Sequence, residues 1–496
     1  MQTKKAIIIG SGVGGMATAI RLAVQGFEVN VYEKNSQPGG KISSFEKNGF
    51  HFDAGPSLFT QPQNIEDLFS LTNEPMGEYF GYQPVNIACK YFYENGKSVN
   101  AYTDRDKFAQ ELKEQLNEPP KNVTAYLKES EKLFSTIGTI FLNNSLHKTK
   151  TWFNKHIGPA LKAIRYNYLF STLHQHNTKY FTSAETVQLF DRFATYNGSN
   201  PYQAPGMLSL IPHLEQNLGT FYPKGGMISI SNALYNLAIN KGVKFFFNTP
   251  VQHILHQEGI VTGVVVNNEN LMADIVVSNV DVYFTYKNLL NNITKAKKIL
   301  QQERSSSAVI FYWGIDKVFS QLQLHNIFFS SHYQTEFENI FTLKKLSTDP
   351  TVYINITSKM EGSQAPEGRE NWFVMVNAPA NTGQNWEQLK ITLRNNIIIK
   401  LNRMLGENIE PLIVTEHTSD PAQIEAQTDS YMGSLYGASS NSKFAAFFRP
   451  ANYTDSIRGL YFCGGSVHPG GGIPLCLKSA KIVSELIAAD YKNPTY

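Results

Sequence analysis

A chain of 496 residues that is 42% hydrophobic and 17% charged carries enough apolar material for two or three domains' worth of core. Its net charge of +3, spread over scattered lysines and arginines, gives no electrostatic footprint for nucleic acid. No uninterrupted apolar run approaches the ~18 to 20 residues that span a bilayer.

The chain opens on Ala6–Ile9, an apolar β-type run that leads into Gly10-x-Gly12-x-x-Gly15. An Ala/Leu-rich segment follows, and then a second β-type run, Glu28–Tyr32, which ends at Glu33. With a first strand this early, no signal peptide is expected. In a strand–turn–helix unit, Gly10 allows the tight turn, Gly12 lets backbone amides approach a pyrophosphate, and Gly15 permits close helix–strand packing. The helix N-terminus favours the phosphate charge. Glu33, 18 residues past Gly15, is placed to accept hydrogen bonds from an adenosine ribose. These elements in register predict a dinucleotide site.

Two further glycine-marked bends follow at once, Pro38-Gly39-Gly40-Lys41 and Gly49-Phe-His-Phe-Asp53-Ala-Gly55-Pro56-Ser57. A nicotinamide dehydrogenase needs no such second element beside its ribose acid, whereas a flavin held along its length by several loops does; two surface turns are the plainer alternative. The three cysteines, Cys89, Cys463 and Cys476, lack CxxC spacing and suit a reducing cytoplasm as small buried residues. No His/Cys cluster has metal spacing, so no metal is expected. The aromatic content of 12% fits core, and equally a long apolar tunnel.

Between Trp152 and Phe170, the residues Trp152, Phe153, Ile157, Leu161, Ile164, Tyr168 and Leu169 recur at helical spacing, punctuated by Lys155, Lys162 and Arg165. Such a basic amphipathic helix lies in a lipid headgroup layer or serves as a lid on its own domain, and Gly158-Pro159 interrupts either pattern. Asp191, Arg192, Tyr196, His213 and Glu215 are candidates for proton removal or cation stabilisation, with structural hydrogen bonds as the plainer role for each. Spacing then predicts a helix over Ile228–Ile239, a strand over Lys244–Phe247, and paired strands Val251–Leu255 and Ile260–Val266 that turn again at Asn267-Asn268. Near the C-terminus, Gly459–Pro474 reads as strand, glycine loop and helix start, with Pro474 in the first turn and an apolar helical period beyond.

The N-terminal glycine motif with Glu33, the two following turns, and His468-Pro-Gly-Gly-Gly-Ile-Pro474 resemble the bacterial phytoene desaturase-type carotenoid desaturases. Asn197–Tyr202, Phe221–Met227 and Ser278-Asn279-Val280-Asp281 stand where that family has its internal motifs. Within the family the chain also resembles the desaturases that act on 1-hydroxylated or otherwise end-modified carotenoids. The resemblance implies an α/β protein of the amine-oxidase-like fold, with a Rossmann-type FAD domain interleaved with a substrate domain of mixed sheet plus helices. It places the FAD domain at 1–85, 221–284 and 446–496, and the substrate domain at 86–220 and 285–445. It assigns FAD contacts to Gly10, Gly12, Val13, Gly14, Gly15, Glu33, Lys34, Gly40, Lys41, Gly55, Pro56, Ser57, Asn279, Gly465, Ser466, Gly472, Ile473 and Pro474, and an adenine contact to the backbone of Val251.

The chemistry so implied is removal of two hydrogens from adjacent carbons of a polyene, with oxygen or a membrane quinone rather than NAD(P) reoxidising the flavin. The substrate dissolves only in lipid, which implies a cytoplasmic protein held peripherally at a membrane. Three other readings share the fold: a carotenoid cis–trans isomerase, a flavin-free prenyl-binding escort protein, and a flavin amine oxidase. Glu33 and the intact glycine loops stand against the escort, and the C-terminal His-Pro-Gly-Gly-Gly-Ile-Pro stands against the amine oxidase.

Overall fold

A computed structural model describes residues 3–152, 158, 166–442 and 449–492. The β-type runs at the two ends of the chain meet in one five-stranded parallel sheet, in the order Leu460–Phe462, Ile275–Ser278, Lys5–Ile9, Glu28–Tyr32, Lys244–Phe246. Parallel strands need covered faces, and the central strands are correspondingly apolar and buried. One face carries the helices Val13–Val24, Ile228–Asn240 and Ile473–Lys492 over a shared apolar core. The other lies under the antiparallel strands Val251–Gln257, Ile260–Val266 and Glu269–Met272. Asn267 and Asn268, both at positive φ, form the tight turn between the last two strands, as their residue types predict.

A second, seven-stranded sheet has the order Ile413–Ser419, Ser307–Ile315, Glu370–Ala378, Val352–Ile356, His325–Phe328, Ile87–Phe92, Ser98–Tyr102. The 20-residue helix Trp386–Leu405 packs on one of its faces through Leu393, Ile397 and Leu401. The opposite face is the wall of a cleft. A helical layer built around Leu112, Tyr126, Phe190 and Phe193 closes the far side. The stretch read as a bend at 49–57 is in part the second strand of a hairpin, Ser43–Lys47 with Phe50–Ala54, closed by Asn48-Gly49 at positive φ on both residues. Asn-Gly is the residue pair that such a turn demands.

The segment 152–170 is helical at Thr149–Trp152 and Tyr166–Phe170. Phe153, Lys155, Ile157, Leu161, Lys162, Ile164 and Arg165 lie outside the described residues, as do 446–448 of the last stretch assigned to the FAD domain. Among the described residues, no helix is long and apolar enough to cross a membrane.

Candidate active site

Three glycine-bearing segments converge where the first strand gives way to its helix. Gly10, at φ +92°, turns the chain, and its N–H donates to Tyr32 O. A methyl group on Gly15 would lie 2.2 Å from Gly10 O, so only glycine lets the helix seat on the strand. A Cβ on Gly40 would lie 3.1 Å from Gly12 Cα, and one on Gly14 the same distance from Gly464. The N-terminal turn, the Gly39-Gly40 turn and the C-terminal loop therefore approach one another closely enough that an added Cβ would crowd the neighbouring backbone. Asn279 ties them together. Its N–H donates to Ile9 O, and its side chain sits within Cβ reach of Gly10, Gly12, Gly14 and Gly464.

Glu33 is buried at the end of the second strand. Its Oε2 accepts from Ser11 N (2.7 Å) and Ser11 Oγ (2.8 Å), and its Oε1 accepts from Asn35 N (2.9 Å). These bonds fix the carboxylate and leave acceptor capacity on Oε1 for a ribose hydroxyl. Across the groove the helix Ile473–Lys492 begins just beyond Gly470–Gly472, with Pro474 in its first turn. Lys41 Nζ donates to Ser434 O (3.2 Å) and Leu435 O (2.9 Å).

These groups border one cleft of about 910 Å³, which runs from the cradle to the wall of the second sheet. Of the residues the sequence assigns to a cofactor, all but Gly15 line it. Gly15 instead does the helix–strand packing expected of the third glycine. A groove in which added methyl groups would collide, a fixed ribose carboxylate and a helix start facing them fit a dinucleotide along its length.

The catalytic candidates divide. Arg192, Tyr196 and Glu215 line the cleft and form one cluster. Glu215, almost wholly buried, accepts from Arg192 Nη2 (3.2 Å), from Gln216 Nε2 (3.2 Å) and from the Tyr196 hydroxyl. Arg192 Nη2 also donates to the Tyr91 hydroxyl. The other two candidates do not line the cleft. Asp191 is held by His174 Nδ1 (2.6 Å) and Asn177 Nδ2 (2.8 Å) between two helices, where burial raises its pKa. His213 is engaged by Asn217 (2.7 Å) and packs on Phe134, where burial lowers its pKa. Both satisfy local helix contacts, which the spacing of residues along the chain does not reveal.

The sheet wall supplies residues that sequence reading missed. Ile327 pairs with Tyr353, Tyr353 with Met375, and Met375 with Ile310; one row along, His325 pairs with Asn355. Ser57 Oγ and the Tyr353 hydroxyl are 2.8 Å apart, and that hydroxyl is 2.8 Å from His325 Nδ1. Nothing local marks these positions: they meet through the pairing of four separate strands, and with Ser57 across a side-chain contact that spans 296 residues.

A parallel-sheet nucleotide cradle opening into a cleft walled by a second sheet is the architecture of a flavin-dependent oxidoreductase. The comparisons carry this further. Residues 13–488 match the flavin-containing amine oxidoreductase family, and the chain belongs to that family, whose cofactor is FAD. The chain is 50% identical to the 1-hydroxycarotenoid 3,4-desaturase of Flavobacterium sp. (strain P99-3), over 98% of this chain and 99% of that protein. It is 32% identical to the 4,4'-diapolycopene oxygenase of Methylomonas sp, over 98% of each. It is 30% identical to the phytoene desaturase of Fusarium fujikuroi, over 99% of this chain and 90% of that protein. The fold is shared with an oxidoreductase from Methanosarcina mazei at TM-score 0.62 and 16% identity, covering 97% and 100% of the two chains. A putrescine oxidase triple mutant shares it at TM-score 0.61 and 14% identity, covering 98% and 99%.

Proposed function

We propose that this protein is an FAD-dependent carotenoid desaturase, which removes two electrons and two protons from adjacent carbons of a long polyene. The observation that carries the reading is the continuity of the cleft, in which one cavity joins the nucleotide cradle to a wall lined by Ile310, Tyr312, Ile327, Tyr353 and Met375, aromatic and aliphatic side chains suited to a hydrocarbon. Half of this chain's residues are also those of a protein named for 3,4-desaturation of a 1-hydroxycarotenoid. In this reading Gly10, Gly12, Val13 and Gly14 hold the pyrophosphate and Glu33 the ribose. The Val251 backbone and Lys34 flank the adenine. Gly40, Lys41, Gly55, Pro56, Ser57, Asn279, Gly465, Ser466, Gly472, Ile473 and Pro474 surround the ring system. The Rossmann-type domain (1–85, 221–284, 446–496) carries the cofactor and the remainder shapes the substrate cleft.

When bound, FAD supplies the two-electron acceptor. The chain's own residues align the polyene and exclude water. Loss of hydride beside a polyene leaves a delocalised cation whose adjacent C–H is acidic, so no strong base is needed, and Glu215 of the paired Arg192–Glu215–Tyr196 cluster in the cleft is a weak acceptor for that proton. Oxygen or a membrane quinone reoxidises the cofactor. Trp152, 44% exposed, and Phe170, 46% exposed, support a peripheral membrane contact at this segment, through which a lipid-dissolved substrate would enter.

Purified protein added to acyclic carotenoids in liposomes tests the reading. Absorption moving to longer wavelength with loss of two mass units is expected. A change of isomer without loss of mass would make the protein an isomerase, and a colourless protein without flavin would overturn the reading. Stoichiometric NADH during anaerobic turnover would overturn the assignment of the acceptor.

A further inference from the structure

A hydrocarbon offers no hydrogen bond, so neutral polar groups set into the wall of a cleft for a polyene need a reason. The Ser57–Tyr353–His325 chain is such a set, and His325 is only 2% exposed. Asn355 Nδ2 donates to Leu324 O and lies 3.1 Å from His325 Nδ1, and a protonated Nδ1 would face that amide donor. Nδ1 is therefore the accepting nitrogen and Nε2 carries the proton. Nε2 has no hydrogen-bond partner among the described residues, an arrangement that is costly in a buried site. Burial, reinforced by the nearby Arg192 charge, pushes the imidazole pKa down to about 3 and keeps the ring neutral. The Tyr353 phenol is likewise kept protonated by burial. The Tyr353 proton is then committed to His325 Nδ1 and the Ser57 hydroxyl donates to the Tyr353 oxygen, so the strip keeps one free donor, Nε2–H, beside the hydroxyl oxygens of Tyr353 and Ser57 as acceptors. These uncharged groups match a hydroxyl, which both accepts and donates, rather than a carboxylate or phosphate. The charged groups nearby, Arg192 and Glu215, already pair with one another. Ser57 places one end of the strip beside the Gly55-Pro56 turn of the cradle, so the oxygen it recognises would lie close to the reacting carbons.

We propose that Tyr353 and His325 are specificity-determining residues, which bind a hydroxyl oxygen carried on the substrate a few bonds from the carbon–carbon bond that is desaturated. This rests on the desaturase reading and adds to it the groups that select an end-hydroxylated polyene over the plain hydrocarbon. A site built around a substrate hydroxyl discriminates strongly against the analogue lacking it, because its own polar groups are then left unpaired.

The test compares two acyclic carotenoids in liposomes, a 1-hydroxycarotenoid and the same chain without the hydroxyl, by kcat/KM with the wild type, Tyr353→Phe and His325→Phe holoenzymes. The wild type is expected to favour the hydroxylated chain by on the order of 10- to 100-fold. Tyr353→Phe removes one oxygen from the wall, and should lower that ratio by about 5-fold or more with flavin content retained. His325→Phe should lower it at least as far. A merely structural role would lower both rates together and leave the ratio unmoved. An unchanged ratio in both variants, or no preference in the wild type, overturns the recognition while leaving the desaturase reading standing. If neither chain is desaturated, the reading of the function fails and the recognition fails with it.

Discussion

The two walls of the cleft are built on opposite principles. The cradle is made of backbone: it works because side chains are missing at Gly10, Gly12, Gly14 and Gly40, and its contacts run over short stretches of sequence plus one distant loop. The sheet wall is made of side chains, His325, Tyr353, Met375 and Ile310, brought together by strand pairing between remote segments. Backbone sites are intolerant of any added atom and write themselves into the sequence as glycine spacing. Side-chain sites tolerate variation in type, and so can be tuned to different substrates on one scaffold.

The sharpest way to break this contrast is to add a side chain to the cradle. Gly15→Val would force a branched side chain onto a position where even a Cβ lies 2.2 Å from Gly10 O, with no flexible neighbour to yield. Loss of soluble holoprotein is expected. Gly12→Val is milder in packing, since its Cβ meets only the Asn279 amide, at 2.7 Å, but it occupies the pyrophosphate's place. That variant should fold and purify without flavin colour. Normal flavin content in Gly12→Val would show that the phosphate turn lies elsewhere.

On the side-chain wall the corresponding break is electrostatic, and smaller. Arg192→Met leaves Glu215, 1% exposed, without its counter-charge, at a cost of about 3 to 5 kcal/mol as a rule for buried pairs. Urea unfolding of the holoprotein should show the midpoint fall for Arg192→Met and recover most of the way in Arg192→Met/Glu215→Leu. No recovery in the double variant would mean that the arginine acts through its stacking on Tyr91, Phe193 and Tyr196 rather than through the pair.

The same contrast explains what was legible in the sequence. Gly10, Gly12, Gly15 and Glu33 could be read because each answers a local geometric demand at fixed spacing. The strand and helix assignments at 228–240, 251–266 and 473–492 followed from unbroken periodicity and turn residues. Asn48-Gly49 was equally legible, yet the bend at 49–57 hid its hairpin behind the more conspicuous Gly55-Pro56. His325 and Tyr353 could not be found this way, because a histidine in a buried strand carries no local mark of the cavity beside it. Asp191 and His213 show the converse error: proximity in sequence to Arg192 and Glu215 did not bring them into the cleft, since successive residues on a helix face different ways.

His468 sharpens the comparison because it belongs to the cradle's glycine loop but works as a side chain. Its Nε2 donates to Asn144 O at 2.9 Å and thereby joins the C-terminal loop to the helical layer, with the ring 2% exposed. Burial lowers its pKa from 6.5 to about 4. Between those two values the unfolded chain binds a proton that the folded protein refuses, so ν_U exceeds ν_N and stability falls as the pH is lowered. The contribution is complete above about pH 6.5 and is lost progressively toward pH 4. Glu336, raised to about 7 by burial, acts with the opposite sign, and His325 with the same sign as His468. Both are common to the wild type and to His468→Asn, so the difference between the two proteins isolates this ring. Thermal midpoints measured from pH 7.5 down to 5 should fall more steeply in the wild type than in His468→Asn, with flavin content checked at each pH. Parallel curves would mean that the ring titrates in the folded protein much as it does in water, and that the loop is held to the helical layer by its backbone alone.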